Sequence, residues 1–122
     1  VTNKPRYLAE KLLSEMQLDE RCAALVCPDD VSRSKPDPEP MYMALEKLGI
    51  PRGAAGSVLY VGDHIRDIEA GNAAGMPTIL AAYGYIPPED QKTLKKWGAD
   101  YIVETPEQLN KLLLSSGKFE YL

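Results

Sequence analysis

The strongest constraint on this chain is a repeated change of period. Apolar runs of strand length alternate with apolar residues at helical spacing, and no two-residue turn joins one run to the next. Strands linked without hairpins need crossovers, so the sequence predicts an α/β fold: a parallel sheet with helices on both faces. The strands are expected at 23–27, 57–61, 77–82 and 101–103. A first helix behind Pro5 carries Leu8, Leu12, Leu13 and Met16 on one face. A second, capped by Asp37 and Pro38 and ended by Gly49, carries Met41, Ala44, Leu45 and Leu48. A small-residue helix follows over 67–74, stopped by Gly75, and a polar one runs from Pro88 to Gly98. Thr105 and Gln108 form a capping box for a last helix that buries Leu109, Leu112 and Leu113. Residues 1–114 are read as one unit and 115–122 as a loosely held tail.

Charge narrows the partners. Fourteen basic against eighteen acidic residues leave a net −4, which argues against a general grip on nucleic acid or an anionic membrane. No apolar run approaches the roughly 18 residues of a membrane span, and no signal-peptide pattern opens the residues at hand. Cys22 and Cys27 flank one apolar run. On a strand they would face opposite sides roughly 16 Å apart, too far for a disulfide. Two buried thiols fit a reducing cytoplasm, the expected location.

In parallel sheets of this kind, ligands sit beyond the carboxyl ends of the strands. The polar residues there are Thr2 and Asn3, Ser32 to Lys35, and Asp63 to Asp67. Gly62 allows a sharp turn after the clearest strand. Asp63 and Asp67 are four apart, so on a helix both carboxylates share a face. Such a pair of hard oxygen ligands suits Mg²⁺; the plainer alternative is that Asp63 caps the helix and Asp67 favours its positive end. Lys35 stands between Ser34 and Pro36-Asp37-Pro38, a stiff loop able to aim an ammonium group, or simply to expose one. Thr2-Asn3-Lys4-Pro5 sets a hydroxyl and an amide before a helix N-terminus, either a phosphate seat or an ordinary cap. His64, the sole histidine, is a candidate for substrate contact or acid–base work, or a variable residue at the mouth of the site. Trp97 and the tyrosines read as packing, and Lys92, Lys95 and Lys96 as a solvated face.

Taken in order, Thr2-Asn3-Lys4, Lys35-Pro36-Asp37-Pro38 and Gly62-Asp63-x-x-x-Asp67 resemble motifs two, three and four of the haloacid dehalogenase superfamily. The run from Tyr60 to Met76, followed by Tyr83-Gly84-Tyr85-Ile86, is similar to the phosphoglycolate phosphatase branch and its N-acetylmuramic acid 6-phosphate phosphatases. The resemblance implies a three-layer Rossmann-like core and Mg²⁺-dependent hydrolysis of a small phosphomonoester, through an aspartyl-phosphate. Thr2 would bond the transferring phosphoryl group with Asn3 beside it. Lys35 would hold the nucleophile and offset phosphate charge. Asp63 would ligate Mg²⁺, and Asp67 would do so directly or through water. Such chemistry rests on positioning and charge stabilisation around a carboxylate nucleophile.

The family's first motif, Asp-x-Asp-Gly-Thr, occurs nowhere in the 122 residues. Asp29-Asp30 lacks the Gly-Thr turn and follows another strand. The resemblance therefore implies a core without its nucleophile strand and without the cap domain that governs substrate choice. The chain is expected to be the carboxy-terminal part of a larger enzyme and inactive by itself. Residues 23–27 and 57–61 would lack the strand between them, inviting association with an amino-terminal part or a strand-exchanged dimer. The rival from another class is a catalytically silent binding or regulatory module on the same scaffold. A phospho-acceptor signalling domain is a weaker third, ill-suited to the Lys35-Pro36 segment.

Overall fold

The computed structural model describes residues 1–84 and 86–114. Its regular elements are α1 (Arg6–Glu15), α2 (Glu39–Lys47), β1 (Tyr60–Gly62), α3 (Ile65–Ala73), β2 (Thr78–Ala81), β3 (Tyr101–Val103) and α4 (Pro106–Leu113). The three strands are parallel in the order β1-β2-β3, with Tyr60 beside Thr78 and Ile79 beside Tyr101. Every residue of β2 is buried, as a strand covered on both faces requires. The α/β architecture is the one expected.

Helix α3 sits close on the sheet because small residues face it. A methyl at Gly71 would come within 2.6 Å of Thr78 Cγ2. One apolar cluster joins Met41 and Leu45 of α2 to Ala70, Ala74 and Met76, with Tyr60 packed against it. A second joins Ile68 and Leu80 to Ile86 and Trp97, so Trp97 is indeed packing.

Several expectations fail for one shared reason: periodicity names an apolar face, but tertiary neighbours decide whether it is covered. Residues 23–27 form no strand. Val26 and Cys27 are buried, yet the segment's link to another stretch of backbone is the Thr2 N–H given to Val26 O at 3.0 Å. A strand exists only by pairing, and among the described residues none lies alongside it or along the outer edge of β1. On α1, Leu8, Leu12 and Met16 are 42%, 43% and 56% exposed, and Ala9 is the buried residue. On α4, Leu109 and Leu112 are half-buried and Leu113 is exposed, because that helix packs chiefly beside β3. The expected strand at 57–61 starts only at Tyr60, after a 3-10 turn over Arg52–Ser57.

The polar helix expected from Pro88 to Gly98 is instead two 3-10 turns, Pro88–Asp90 and Leu94–Trp97. Its polar residues offer no continuous stripe to bury, whereas Leu94 and Trp97, three apart, reach the second cluster together from one tight turn. Cys27 is buried and Cys22 half-buried, both free, and burial pushes the Cys27 thiol up. No described helix is long and apolar enough to cross a membrane. Tyr85 and the tail at 115–122 lie outside the described residues.

Asp29 and Asp30, passed over as chemistry, fasten α1. Asp29 accepts the Arg6 N–H at 2.9 Å. Asp30 accepts the Cys27 N–H at 2.9 Å and pairs with the Arg6 guanidinium, with Lys47 3.7 Å away. The Cys27 amide, then Arg6, hold the Asp30 carboxyl below its usual range. A depressed folded value stabilises above the unfolded value of about 3.9 and is lost as pH falls through the folded one. Asp30→Asn is therefore expected to lower the urea midpoint at pH 6 and to converge on the parent as pH drops below about 4. An equal gap at both ends of that range would show that the Asp30 charge does not matter.

Candidate active site

The loop that carries Lys35 is tied down before Lys35 reaches anything. The N–H groups of Ser32 and Arg33 donate to the two carboxylate oxygens of Glu39, at 3.0 and 2.8 Å. Asp37 Oδ1 in turn accepts the Glu39 N–H at 2.9 Å, but the N-cap of α2 is Pro38 rather than the expected Asp37, and the helix starts one residue later, at Glu39. The Lys35–Pro36 peptide is cis. From this loop the Lys35 side chain, 9% exposed, runs inward to three oxygens. Its Nζ donates to Asp67 Oδ1 at 2.5 Å, to the Tyr60 hydroxyl at 3.2 Å and to the Val1 carbonyl at 3.5 Å.

Asp67 lies in the first turn of α3, and both of its oxygens are engaged. While Oδ1 holds Lys35, Oδ2 accepts the N–H groups of Asp63 and His64, each at 3.1 Å. This works because residue 62 is glycine: a methyl there would lie 2.6 Å from Asp67 Cγ. His64 is the N-cap of α3, its Nδ1 accepting the Arg66 N–H at 3.1 Å. The cap weighed for Asp63 thus belongs to His64 and Asp67 together. Asp63 is left exposed, and among the described residues no donor reaches its carboxylate. It is steered by Gly84 in the loop after β2, where a Cβ would lie 2.5 Å from Asp63 Cβ. Sequence reading missed Gly84's part, since nothing in a loop glycine 21 positions away advertises that contact.

At the other side, Thr2 Oγ1 accepts the Lys4 N–H at 3.0 Å, which leaves its own proton to donate. The helix-end donors imagined for phosphate are fewer than expected, because Asp29 takes the first N–H of α1. Thr2, Asn3, Lys35, Asp63, His64 and Asp67 all line one groove of about 620 Å³. Every residue singled out as a site candidate is therefore brought to the same cavity. Behind the Lys35–Asp67 pair a second hollow of about 340 Å³ is bounded by Val1, Tyr60, Gly62, Asp63 and Gly84. Tyr60 is the other residue that sequence reading left out. Burial, then the Asp67 charge, raise its hydroxyl far above the usual tyrosine range, so it stays protonated.

Residues 1–81 match the profile of the haloacid dehalogenase-like hydrolases. The chain belongs to that family. It is 47% identical over 116 residues to the N-acetylmuramic acid 6-phosphate phosphatase of Pseudomonas putida, covering 95% of this chain and 50% of that protein. It is 43% identical over 109 residues to the phosphoglycolate phosphatase of Xanthomonas campestris, covering 89% and 47%. Among solved structures, a hydrolase from Pseudomonas syringae superposes with a TM-score of 0.75 at 28% identity, over 92% of this chain and 49% of that one. An HAD phosphatase from Thermococcus onnurineus does so with a TM-score of 0.72 at 26% identity, over 93% and 48%. The chain spans about half the length of the curated relatives it matches.

The donor set can be tested against the Mg²⁺ that a haloacid dehalogenase-like site implies. Among the described residues no three acidic, histidine or cysteine side chains gather to hold a cation. Mg²⁺ needs fewer, since it keeps several waters and binds through one or two carboxylates plus phosphate oxygens. Asp63 offers a hard carboxylate that accepts no hydrogen bond among the described residues, and Asp67, with both oxygens engaged, would reach a cation only through water. The residues present fit the ion.

Proposed function

We propose that this chain supplies the phosphate- and Mg²⁺-binding half of a phosphatase acting on a small phosphomonoester, such as phosphoglycolate or a sugar phosphate like N-acetylmuramic acid 6-phosphate. The observation that carries the reading is the convergence of a hydroxyl donor, a pinned ammonium and a carboxylate that no described residue bonds on one groove. Thr2 donates its hydroxyl proton to a phosphoryl oxygen, with the Asn3 amide beside it. Lys35 faces the incoming nucleophile and the phosphate, offsetting their mutual repulsion. Asp63 would hold Mg²⁺ with Asp67 reaching it through water, and the ion would supply charge stabilisation for the phosphoryl oxygens. His64 stands at the mouth, where it can touch the rest of the ester.

The attacking carboxylate comes from polypeptide outside these residues. It forms a bond to phosphorus as the ester P–O bond breaks, and the departing alkoxide takes a proton from an acid on that same segment. Water then hydrolyses the acyl phosphate to regenerate the carboxylate and release phosphate. The edge of β1 that no described residue pairs and the exposed face of α1 are the surfaces against which that segment packs. A second copy exchanging strands is the other way to cover them. We place the protein in the cytoplasm, where two free thiols persist.

Phosphate release with Mg²⁺ and each ester tests this, comparing the chain by itself with the chain joined to the remaining half of its relatives' length. Turnover only in the joined form is expected. Turnover by the chain itself would overturn the proposal, and no turnover in either form would favour a silent binding module.

A further inference from the structure

Tyr60 sits on β1, two residues before Gly62 and so on the same face of the strand, beneath the Asp67 side chain. It touches Lys35 in two ways. The hydroxyl lies 3.2 Å from Nζ, and the ammonium stands 5.8 Å from the ring centroid. Lysine has no acceptor, so the hydroxyl accepts from Nζ, and its own proton has the Asp67 carboxylate and, 3.5 Å away, the Val1 carbonyl as acceptors. That carbonyl is also the third oxygen in reach of Nζ. The contact thus closes a triangle linking the backbone just before Thr2, the loop of Lys35 and strand β1.

We infer that Tyr60 is a positioning residue: with the Lys35 ammonium already closed on Asp67 at 2.5 Å, the Tyr60 hydroxyl at 3.2 Å fixes the direction in which the remaining Nζ protons point, next to the Thr2 loop. Asp67 is the only anion bonded to Nζ among the described residues, and it pulls from one side. The Tyr60 hydroxyl and ring pull from another, without a charge that would compete with phosphate. The inference rests on the proposed phosphatase reading for its kinetic consequence but not for its geometry.

Tyr60→Phe, which keeps the ring and removes the hydroxyl, tests it in the joined, full-length protein. Turnover per folded molecule is expected to fall about tenfold in kcat with KM shifted less than about twofold, since a hydrogen bond to a charged group and the aim of that group are lost. The Nζ cross-peak of Lys35 in a lysine-selective ¹⁵N spectrum is expected to shift and broaden. Tyr42→Phe removes a hydroxyl 3.4 Å from Ala73 O, away from the groove, and is expected to change neither. An unchanged kcat together with an unmoved Lys35 cross-peak would overturn the inference. Should the parent protein show no turnover, the phosphatase reading fails and the Lys35 spectrum decides about Tyr60.

Discussion

Lys35→Met is expected to cost about 3–5 kcal/mol of folding stability, although it removes a residue at the edge of a groove. The reason is what stays behind. Asp67 has a side chain only 10% exposed, and Lys35 is the cation bonded to it. Removing one partner of a buried pair leaves an uncompensated charge, which is far worse than lacking the pair altogether. Asp67→Asn in the same chain is expected to recover most of the loss, because an asparagine oxygen can still accept the Asp63 and His64 N–H groups. In the joined protein, turnover is expected to fall by about 10²–10³-fold, the usual effect of losing one donor to transition-state charge. Urea unfolding of the single and double variants checks the first part. A single variant that melts with the parent would mean the pair organises nothing.

The two acids of the Gly62-Asp63-x-x-x-Asp67 motif are expected to part company. Asp63 is exposed and accepts no hydrogen bond among the described residues, so Asp63→Asn should leave the unfolding free energy within about 0.5 kcal/mol of the parent. In the proposed site its carboxylate would be the direct hold on Mg²⁺, so turnover should drop by at least about a thousandfold, as expected when the metal's charge stabilisation is lost. Asp67→Ala should do the reverse in stability, losing about 3 kcal/mol or more, because it strands the Lys35 ammonium and two backbone N–H groups at once. If both variants lost stability equally, or if Asp63→Asn kept its turnover, the division of labour between the two acids would be wrong.

Much of this was legible in the sequence. The crossover pattern predicts β1, β2 and β3 in one parallel sheet, and the rule that ligands sit past strand ends picks out Asp63 after β1. The same rule points to Thr2 and Lys35, yet no described strand precedes either; they reach Asp63 through the Thr2–Val26 backbone bond and the Lys35–Asp67 pair. Less legible was whatever depends on a neighbour. The stripe on α1 and the apolar run at 23–27 have the right period, yet the described residues leave Leu8, Leu12 and Met16 of the one exposed and form no strand ladder with the other. Nor could spacing divide the work within Asp63-His64-x-x-Asp67. Any of the three can cap a helix, and the choice was made by Lys35, which draws Asp67 inward and leaves His64 to complete the turn. Tyr60 looked like an ordinary strand aromatic, because its role lies in one oxygen atom aimed at a lysine 25 residues earlier.

The central claim is that one groove holds a phosphoryl group and its magnesium ion, and a crystal structure of the joined protein with Mg²⁺ and inorganic phosphate tests it most directly. The account predicts phosphate bonded to the Thr2 hydroxyl and the Lys35 ammonium, with the ion on Asp63. Phosphate and metal bound elsewhere, for instance in the 660 Å³ hollow beside Ala82, Gln91 and Glu104, with these three side chains untouched, would contradict it.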